Sequence, residues 1–359
     1  MNKMNSNASN SVHISNRIYY EITSVCNLNC IHCSDMLQEI RGRFLPCQDL
    51  CNFHQKVKDR FGINSVVLTG GEPTLHPEFF RIIEILAPNN AMIITTNGIN
   101  IDCEKMMEHM KKYPNILLQI SMDGLSKEVF ESIRGKDTYN KLQNNIQKML
   151  KQNLQSQLGV SMTILKQNIH EVMPLIKYAQ KAGFNFVHFP VLLSVGKAFK
   201  EWNKLAPSIK EQINIENQIF NYIVDHDDGI YISSNRLDQI IAKLNYGDKI
   251  NCLHNPTLKI DSVGNVHSCP ASANTQFSLG SIYEEGILDK IYFKLQNRTN
   301  INLSKYDFNC QNCIHNDLCS ANLCSNCRVL QPNSKDFHEY TCSILKYHFS
   351  NAKKDLRFV

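Results

Sequence analysis

The chain has 359 residues, enough for one large domain and a smaller one, and its 38 basic and 33 acidic residues give a formal net charge of +5. No stretch reaches the roughly 18–20 apolar residues that span a bilayer, and residues 1–16 are polar, without the apolar run of a signal peptide. We therefore predict a cytoplasmic protein, and the lack of basic runs interleaved with aromatic residues favours neither nucleic acid nor a membrane as a partner.

Fourteen cysteines are a large number for a cytoplasmic chain, where thiols serve more often as metal ligands or catalysts than in disulfides. Three lie close together, three stand apart, and eight fall between residues 252 and 342, while residues 104–251 contain none. A domain stabilised by disulfides would be expected to have cysteines throughout its length, including residues 104–251. The three isolated cysteines, which we expect to be structural, are Cys47, Cys51 and Cys103.

Short β-rich runs alternate with helical stretches from residue 17 to about residue 191. The predicted strands, most of them rich in Ile, Val or Leu, are Arg17–Thr23, Ser65–Leu68, Ala91–Thr95, Ile116–Ser121, Gly159–Leu165 and Phe186–Val191. The predicted helices lie near 49–60, 77–86, 102–112, 139–152 and 170–182. Six such units predict an α/β fold with a parallel sheet curled into a partial (β/α)6 barrel over residues 17–199, which is too few for the complete eight-fold barrel.

Residues 200–250 are polar and predicted to form a helical bridge between the barrel and a cysteine-rich segment over residues 251–348. In that segment Asp261–Asn265 is predicted to be the turn of a hairpin between Leu258–Ile260 and Val266–Ser268. The segment lacks the apolar periodicity of an independent core, so we expect it to need metal to fold. Residues 1–16 and 349–359 are expected to be tails.

The first group of cysteines, Cys26, Cys30 and Cys33, follows the first predicted strand directly. Three thiolates in eight residues can ligate three irons of a cubane cluster and leave the fourth iron open to a chelating cofactor. A zinc site is the alternative, with His32 as the fourth ligand. Because His32 and Cys33 are adjacent, however, such a tetrahedral site would be strained.

This CysxxxCysxxCys spacing resembles the signature of the radical S-adenosylmethionine (SAM) superfamily. His32 stands where that family favours an aromatic residue. The run Gly70-Gly-Glu-Pro-Thr-Leu75 after the second strand resembles the family's GGEP motif, in which glycines allow close backbone approach to the ligand and Glu72 offers a carboxylate to the SAM ammonium group. Pro73 completes the motif. The resemblance implies a [4Fe–4S] cluster on the three cysteines, with SAM at its open iron.

The resemblance continues at the ends of later strands. Asn97 lies in a turn like the family's TNG. Ser121 ends the fourth strand and Asp123 follows it, where the family places a polar side chain near the SAM ribose or carboxylate. Arg134 matches an arginine that related enzymes use to clamp the SAM carboxylate, and Val191 would pack on adenine. The plainer alternatives are that Asn97 only forms a turn, that Ser121 only ends a strand, and that Arg134 is a solvated surface charge.

The second cysteine region resembles the SPASM domain, the auxiliary-cluster extension of many peptide-modifying radical SAM enzymes. The resemblance implies two auxiliary [4Fe–4S] clusters, an outer one on Cys310, Cys313, Cys319 and Cys342 and an inner one on Cys252, Cys269 and Cys324. Cys327 is an extra cysteine that would be a fourth inner ligand, would replace Cys324, or would act catalytically as a hydrogen-atom donor. Two zinc knuckles are the alternative for the CysxxCys pairs.

The radical SAM resemblance implies that the reduced cluster cleaves SAM to a 5′-deoxyadenosyl radical, which takes a hydrogen atom from a substrate. The SPASM resemblance favours an oxidoreductase that matures a ribosomally made precursor peptide by crosslinking (thioether or carbon–carbon), oxidation or epimerisation. A sulfatase-maturing enzyme is an alternative, but Pro270 and Ala271 follow Cys269 where that branch carries an aspartate. A small-molecule dehydrogenase and an iron–sulfur electron-transfer or sensing protein are the others.

The expected partners follow from this chemistry. The cluster needs a low-potential reductant, a flavodoxin or a ferredoxin. Only some 16 residues precede the first strand, too few for the leader-binding module of many maturases. A leader peptide would therefore be bound by a separate protein or by the barrel.

Overall fold

The computed structural model describes residues 13–34, 42–226, 229–246, 255–271, 278–297, 313–315 and 335–352. Within these residues one sheet contains ten strands in the order β10-β9-β8-β1-β2-β3-β4-β5-β6-β7. The strands are β1 (Arg17–Thr23), β2 (Ser65–Gly70), β3 (Ala91–Thr96), β4 (Ile116–Ser121), β5 (Leu158–Ser161), β6 (Phe186–Phe189), β7 (Tyr231–Ser234), β8 (Leu258–Ile260), β9 (Asn265–His267) and β10 (Ser278–Ser281).

The helices of the described residues cover the sheet and extend beyond it. They are α1 (Cys47–Phe61), α2 (Phe79–Leu86), α3 (Cys103–Lys112), α4 (Lys127–Arg134), α5 (Tyr139–Lys151), α6 (Val172–Ala182), α7 (Gly196–Lys200), α8 (Trp202–Leu205), α9 (Ile209–Asp225), α10 (Asn235–Tyr246), α11 (Ile287–Gln296) and α12 (Lys335–Ala352). None of them combines the length and apolarity needed to cross a membrane.

The predicted parallel α/β sheet is confirmed. Strands β1 to β6 lie side by side in chain order, and each pair is parallel. The core forms because the strands bury alternate apolar residues, as in β3 and β4, and the helices turn one apolar face inward; α5, for example, buries Leu142, Ile146 and Met149. Burial of each such side chain contributes about 1.5–3 kcal/mol. The carboxyl ends of the six strands therefore meet at one edge of the sheet, where the predicted site residues lie.

The fifth and sixth strands end earlier than predicted. β5 stops at Ser161. Met162 N still donates to His188 O of β6 at 3.0 Å, but Thr163 N donates to Asp123 Oδ1 at 2.8 Å, and Leu165 N donates to the side chain of Asn168. β6 stops at Phe189, since Pro190 has no N–H to donate to a neighbouring strand. The residues released from the strands line the site.

Two features of the chain after residue 200 were not predicted. The region 200–250, predicted to be entirely helical, contains β7, which pairs in parallel with β6. The predicted hairpin is present as β8 and β9, but it does not stand apart from the barrel, because β8 pairs in parallel with β1 between Ile18 and Tyr20.

Helix α4 was also missed; Ser126 caps it by accepting a hydrogen bond from Val129 N.

Helix α12 is joined to the barrel by a buried charged network. Glu216 of α9, 1% exposed, accepts hydrogen bonds from Arg236 of α10 at 2.5 Å, from His348 of α12 at 2.7 Å and from Gln212 at 2.7 Å. Burial alone would raise the pKa of Glu216, but Arg236 and His348 outweigh this effect and hold that pKa below its usual range. The helix that carries Cys342 is therefore anchored through one carboxylate.

We predict that Glu216→Ala destabilises the chain by about 3–5 kcal/mol at pH 7, because it leaves the buried Arg236 guanidinium and the buried His348 ring without their carboxylate partner. Since the folded-state pKa of Glu216 is lowered, its contribution is present above the unfolded pKa and disappears as the pH falls through the folded value. The loss of stability should therefore be smaller in acid.

Urea unfolding followed by circular dichroism at pH 7 and at pH 4 would measure this difference. Glu108→Ala on the exposed face of α3 is the matched control, with an expected change below about 0.5 kcal/mol. Superimposable unfolding curves for Glu216→Ala and the wild type would contradict the anchoring role.

Candidate active site

The cluster loop, residues 24–33, follows β1 and is held by two helices that lie far away in sequence. Ile31 N donates to Ile133 O of α4 at 3.0 Å, and Lys197 N of α7 donates to Cys33 O at 3.1 Å. The Lys197 ammonium group also donates to Cys30 O at 3.3 Å and to the side chain of Asn29. Lys197 was not predicted as a site residue, because nothing in its local sequence distinguishes it from other lysines.

The three predicted cluster cysteines lie together on this loop. Burial, with smaller contributions from the Glu72 carboxylate and the thiols of Cys30 and Cys33, raises the pKa of Cys26 to about 11, against the opposing hydrogen bond from Leu28 N. Burial also raises the pKa of Cys30, against the opposing effect of Arg134. Two N–H groups point at the sulfur atoms: Leu28 N lies 3.4 Å from Cys26 Sγ, and Arg134 Nη1 lies 3.8 Å from Cys30 Sγ.

These residues fit an iron–sulfur cluster. Bound metal stabilises thiolates that burial alone disfavours, and N–H donors to sulfur are a normal part of such sites. In the described part of the chain no three His, Cys, Asp or Glu side chains converge on a single metal ion. A cubane does not require that, because each thiolate binds a different iron.

The glycine turn after β2 packs directly on the cluster loop. Gly71 N donates to Thr23 O and Glu72 N to Val25 O, both at 2.7 Å. A Cβ added at Gly70 would lie 2.3 Å from Thr23 O, and one added at Gly71 would lie 2.3 Å from Val25 O. The sequence predicted glycines for close approach to a ligand. In the structure the close approach is between the two loops.

Glu72 joins the loops after β2 and β3 through its carboxylate. It is 1% exposed, and its oxygens accept hydrogen bonds from the Thr74 hydroxyl at 2.7 Å, the Thr96 hydroxyl at 2.6 Å and Asn97 N at 2.7 Å. Asn97 Nδ2 in turn donates to the Asn27 side chain at 2.8 Å. The carboxylate predicted to meet the SAM ammonium group thus also fixes the loops after β2 and β3. Thr96, within the TTNG turn but not assigned a role from sequence, is part of this arrangement.

Asp123 and Arg134 form a buried ion pair beside the cluster loop. Asp123 is fully buried, and its Oδ2 accepts from both Arg134 Nε and Nη2 at 2.7 Å. Burial would lower the pKa of Arg134, but Asp123 and Cys30 raise it above its usual value. His32 Nε2 lies 3.3 Å from the same oxygen, and burial lowers the pKa of His32. Arg134 therefore lies between a buried carboxylate and a cluster cysteine.

The remaining predicted SAM residues lie at the ends of later strands. Ser121 closes β4 opposite Ser161 of β5. Pro73 is buried in a one-turn 3-10 helix that follows Glu72. Val191 lies just past β6 and lines a cavity together with Ile164, Phe189 and Arg236. The strand ends thus bring Ser121 and Val191 to the same edge as the cluster loop.

The C-terminal cysteines are only partly described. Cys269 follows β9 by two residues, after a turn in which Asp261 accepts hydrogen bonds from Asn265 N at 2.8 Å and His267 Nε2 at 3.0 Å. Cys313 and Cys342 are partly exposed. The predicted ligands that lie outside the described residues are Cys252, Cys310, Cys319, Cys324 and Cys327.

Comparison with known proteins agrees with this geometry. Residues 20–179 match the Radical SAM superfamily. The mycofactocin maturase MftC of Mycolicibacterium smegmatis is 23% identical over 310 residues, covering 84% of this chain and 76% of MftC. A probable GTP 3′,8-cyclase of Saccharolobus islandicus is 31% identical over 206 residues, covering 55% of this chain and 65% of the cyclase.

Two solved structures share the fold. Streptococcus suis SuiB bound to S-adenosylmethionine has a TM-score of 0.67 at 15% identity, covering 86% of this chain and 73% of SuiB. anSMEcpe with bound AdoMet and Cp18Cys peptide has a TM-score of 0.70 at 20% identity, covering 93% of this chain and 96% of that structure. Both are SPASM-domain radical SAM enzymes. The cysteine loop, the glycine turn and the parallel sheet thus agree with the match of residues 20–179 to the Radical SAM superfamily, and these residues form a radical SAM domain.

Proposed function

We propose that this chain is a radical SAM maturase that modifies a precursor peptide. The observation that carries the proposal is the extent of the match to the mycofactocin maturase, which covers 84% of this chain and so continues well beyond residue 179. The shared fold with SuiB, also solved bound to its precursor peptide SuiA, supports it. The net reaction we propose is an oxidation, a thioether or carbon–carbon crosslink, or an epimerisation of the peptide.

The residues of the cluster loop would bind the cluster, and residues at the strand ends would position SAM. Cys26, Cys30 and Cys33 would hold the [4Fe–4S] cluster, with the backbone of the glycine turn beside it. When bound, the cluster and SAM supply a 5′-deoxyadenosyl radical that takes a hydrogen atom from the peptide. Glu72 keeps the loops after β2 and β3 in register for SAM, and Arg134 presents guanidinium N–H groups next to Cys30.

The proposal extends to the other predicted site residues. Ser121, Asn97 and Val191 would contact SAM from the ends of β4, β3 and β6. We propose two auxiliary clusters as well, the outer on Cys310, Cys313, Cys319 and Cys342 and the inner on Cys252, Cys269 and Cys324 or Cys327. The inner cluster would accept the electron that the peptide radical gives up when it is oxidised. A separate electron, supplied by a flavodoxin or ferredoxin, would reduce the first cluster and be consumed in the cleavage of SAM.

The function is tested with short peptides encoded beside the gene. After anaerobic incubation with enzyme, SAM and reductant in deuterated water, mass spectrometry should show a loss of two hydrogens for a crosslink or oxidation. One deuterium at carbon would instead indicate epimerisation. Formation of 5′-deoxyadenosine with every peptide unchanged would contradict peptide maturation and favour a small-molecule or sulfatase substrate.

We expect Glu72→Gln to lower the rate of 5′-deoxyadenosine formation by about 100-fold, because the amide turns a donor toward Thr96 or Asn97 and shifts the loops that position SAM. Iron content should stay at the wild-type level. Glu78→Gln, at a half-exposed carboxylate just after the same loop, is the matched control. Wild-type cleavage by Glu72→Gln would remove Glu72 from the SAM site.

Cys269→Ala should separate SAM cleavage from product formation. If Cys269 ligates an auxiliary cluster, the variant still forms 5′-deoxyadenosine but releases no modified peptide, because the substrate radical has lost its electron acceptor. Both products are measured in one reaction by liquid chromatography and mass spectrometry. Cys51→Ala, at a partly buried cysteine of α1, should leave both products unchanged. Full yield of modified peptide from Cys269→Ala would contradict the assignment of Cys269 as an auxiliary-cluster ligand.

A further inference from the structure

A groove on the outside of the barrel runs between the cluster loop and helix α5. Two adjoining cavities, of about 460 Å³ and 450 Å³, form it and share Ile99 and Lys141. We call this surface the basic groove and define it by Asn27, Asn29, Lys136, Lys141, Lys148 and Lys151. Its position follows from α5, which turns its apolar face to the sheet and leaves Lys141, Lys148 and Lys151 on the opposite, exposed stripe.

The basic groove carries a strong positive charge. All four lysines are exposed, while Arg134, at the end next to the cluster loop, is already paired with the buried Asp123. Asp137 is the one acidic residue among its lining residues. Within the described part of the chain no carboxylate lies within ion-pair distance of the four lysines. Unpaired lysines on one face attract an acidic partner.

The groove also reaches the cluster cysteines from outside. Asn27 and Asn29 line it, and each is the immediate neighbour of a cluster cysteine, Cys26 or Cys30, about 3.8 Å away from Cα to Cα. The SAM residues Glu72 and Asp123, in contrast, are buried within the barrel. A molecule bound in the groove would therefore touch the backbone beside two cluster ligands without competing for the SAM and substrate side.

We propose that the basic groove is the docking surface for a small acidic protein that carries a low-potential one-electron cofactor. This rests on the proposed function, since reductive cleavage of SAM needs one electron for the cluster. The carrier loses that electron and the cluster gains it, with no bond formed or broken. A groove lined mainly by lysine and amide side chains, with Leu28 and Ile99 as its apolar members, suits a transient electron-transfer encounter, which relies on electrostatic attraction more than on buried area.

Charge reversal tests the proposal on the reconstituted holoenzyme. In Lys141→Glu/Lys148→Glu, we expect 5′-deoxyadenosine formation driven by subsaturating flavodoxin, its reductase and NADPH to fall about tenfold or more at low salt. The deficit should shrink as ionic strength rises, because exposed charges are screened over about 10 Å at 0.1 M salt. With excess dithionite the variant should match the wild type, since no protein need dock.

The matched control is Lys177→Glu/Lys181→Glu, the same charge change at exposed positions of α6. It should leave both the flavodoxin-driven and the dithionite-driven rates unchanged. An unaltered flavodoxin-driven rate in Lys141→Glu/Lys148→Glu would overturn the proposal. Loss of the dithionite-driven rate in the same variant would also overturn it, because the two lysines would then act on the enzyme itself.

A third outcome would assign the groove to an acidic peptide segment instead: a raised KM for the precursor peptide under dithionite, with flavodoxin-driven SAM cleavage intact. The proposed function fails in a different way. If no peptide is modified but the groove variant still discriminates between flavodoxin and dithionite, the docking surface stands and only the maturase assignment is lost.

Discussion

The site depends on the contact between the backbones of two loops, the cluster loop after β1 and the glycine turn after β2. Two hydrogen bonds of 2.7 Å join them, and the space between them admits no Cβ at Gly70 or Gly71. The buried carboxylate of Glu72 then extends this contact to the turn after β3. Because the three loops hold one another, the thiols and the SAM side of the barrel have a fixed relation before any ligand binds.

Two cationic side chains, Arg134 and Lys197, lie beside the cluster loop. Arg134 and Asp123 form a buried pair in which one guanidinium nitrogen still faces Cys30. The Lys197 ammonium group adds a positive charge beside the loop, where it donates to Cys30 O and to the side chain of Asn29. Iron–sulfur reduction potentials respond to hydrogen bonds at sulfur and to nearby charge. These cations therefore favour the more negative, reduced form of a cluster at this position.

The sequence predicted what local pattern determines and missed what only distant contacts create. Strands β1 to β6 are apolar runs between turns, so the sequence predicted all six, although β5 and β6 end earlier than expected. The short run Tyr231–Ser234 gave no strand signal and becomes β7 by pairing with β6. Motif spacing located the cysteines and Glu72. It could not show Lys197, which reaches the cluster loop from more than 160 residues away. The role of the glycines was likewise visible only once Thr23 and Val25 were seen beside them.

The parallel pairing of β8 with β1 has a consequence for dividing the chain. Strand β1, which leads into the cluster loop, would be the edge of the sheet if the C-terminal part were removed; in the intact chain β8 covers it. A fragment ending near residue 200 would expose the backbone N–H and C=O groups of this seven-residue strand, and unpaired strand edges are templates for aggregation. The C-terminal part thus protects the barrel against self-association, whatever metals it holds.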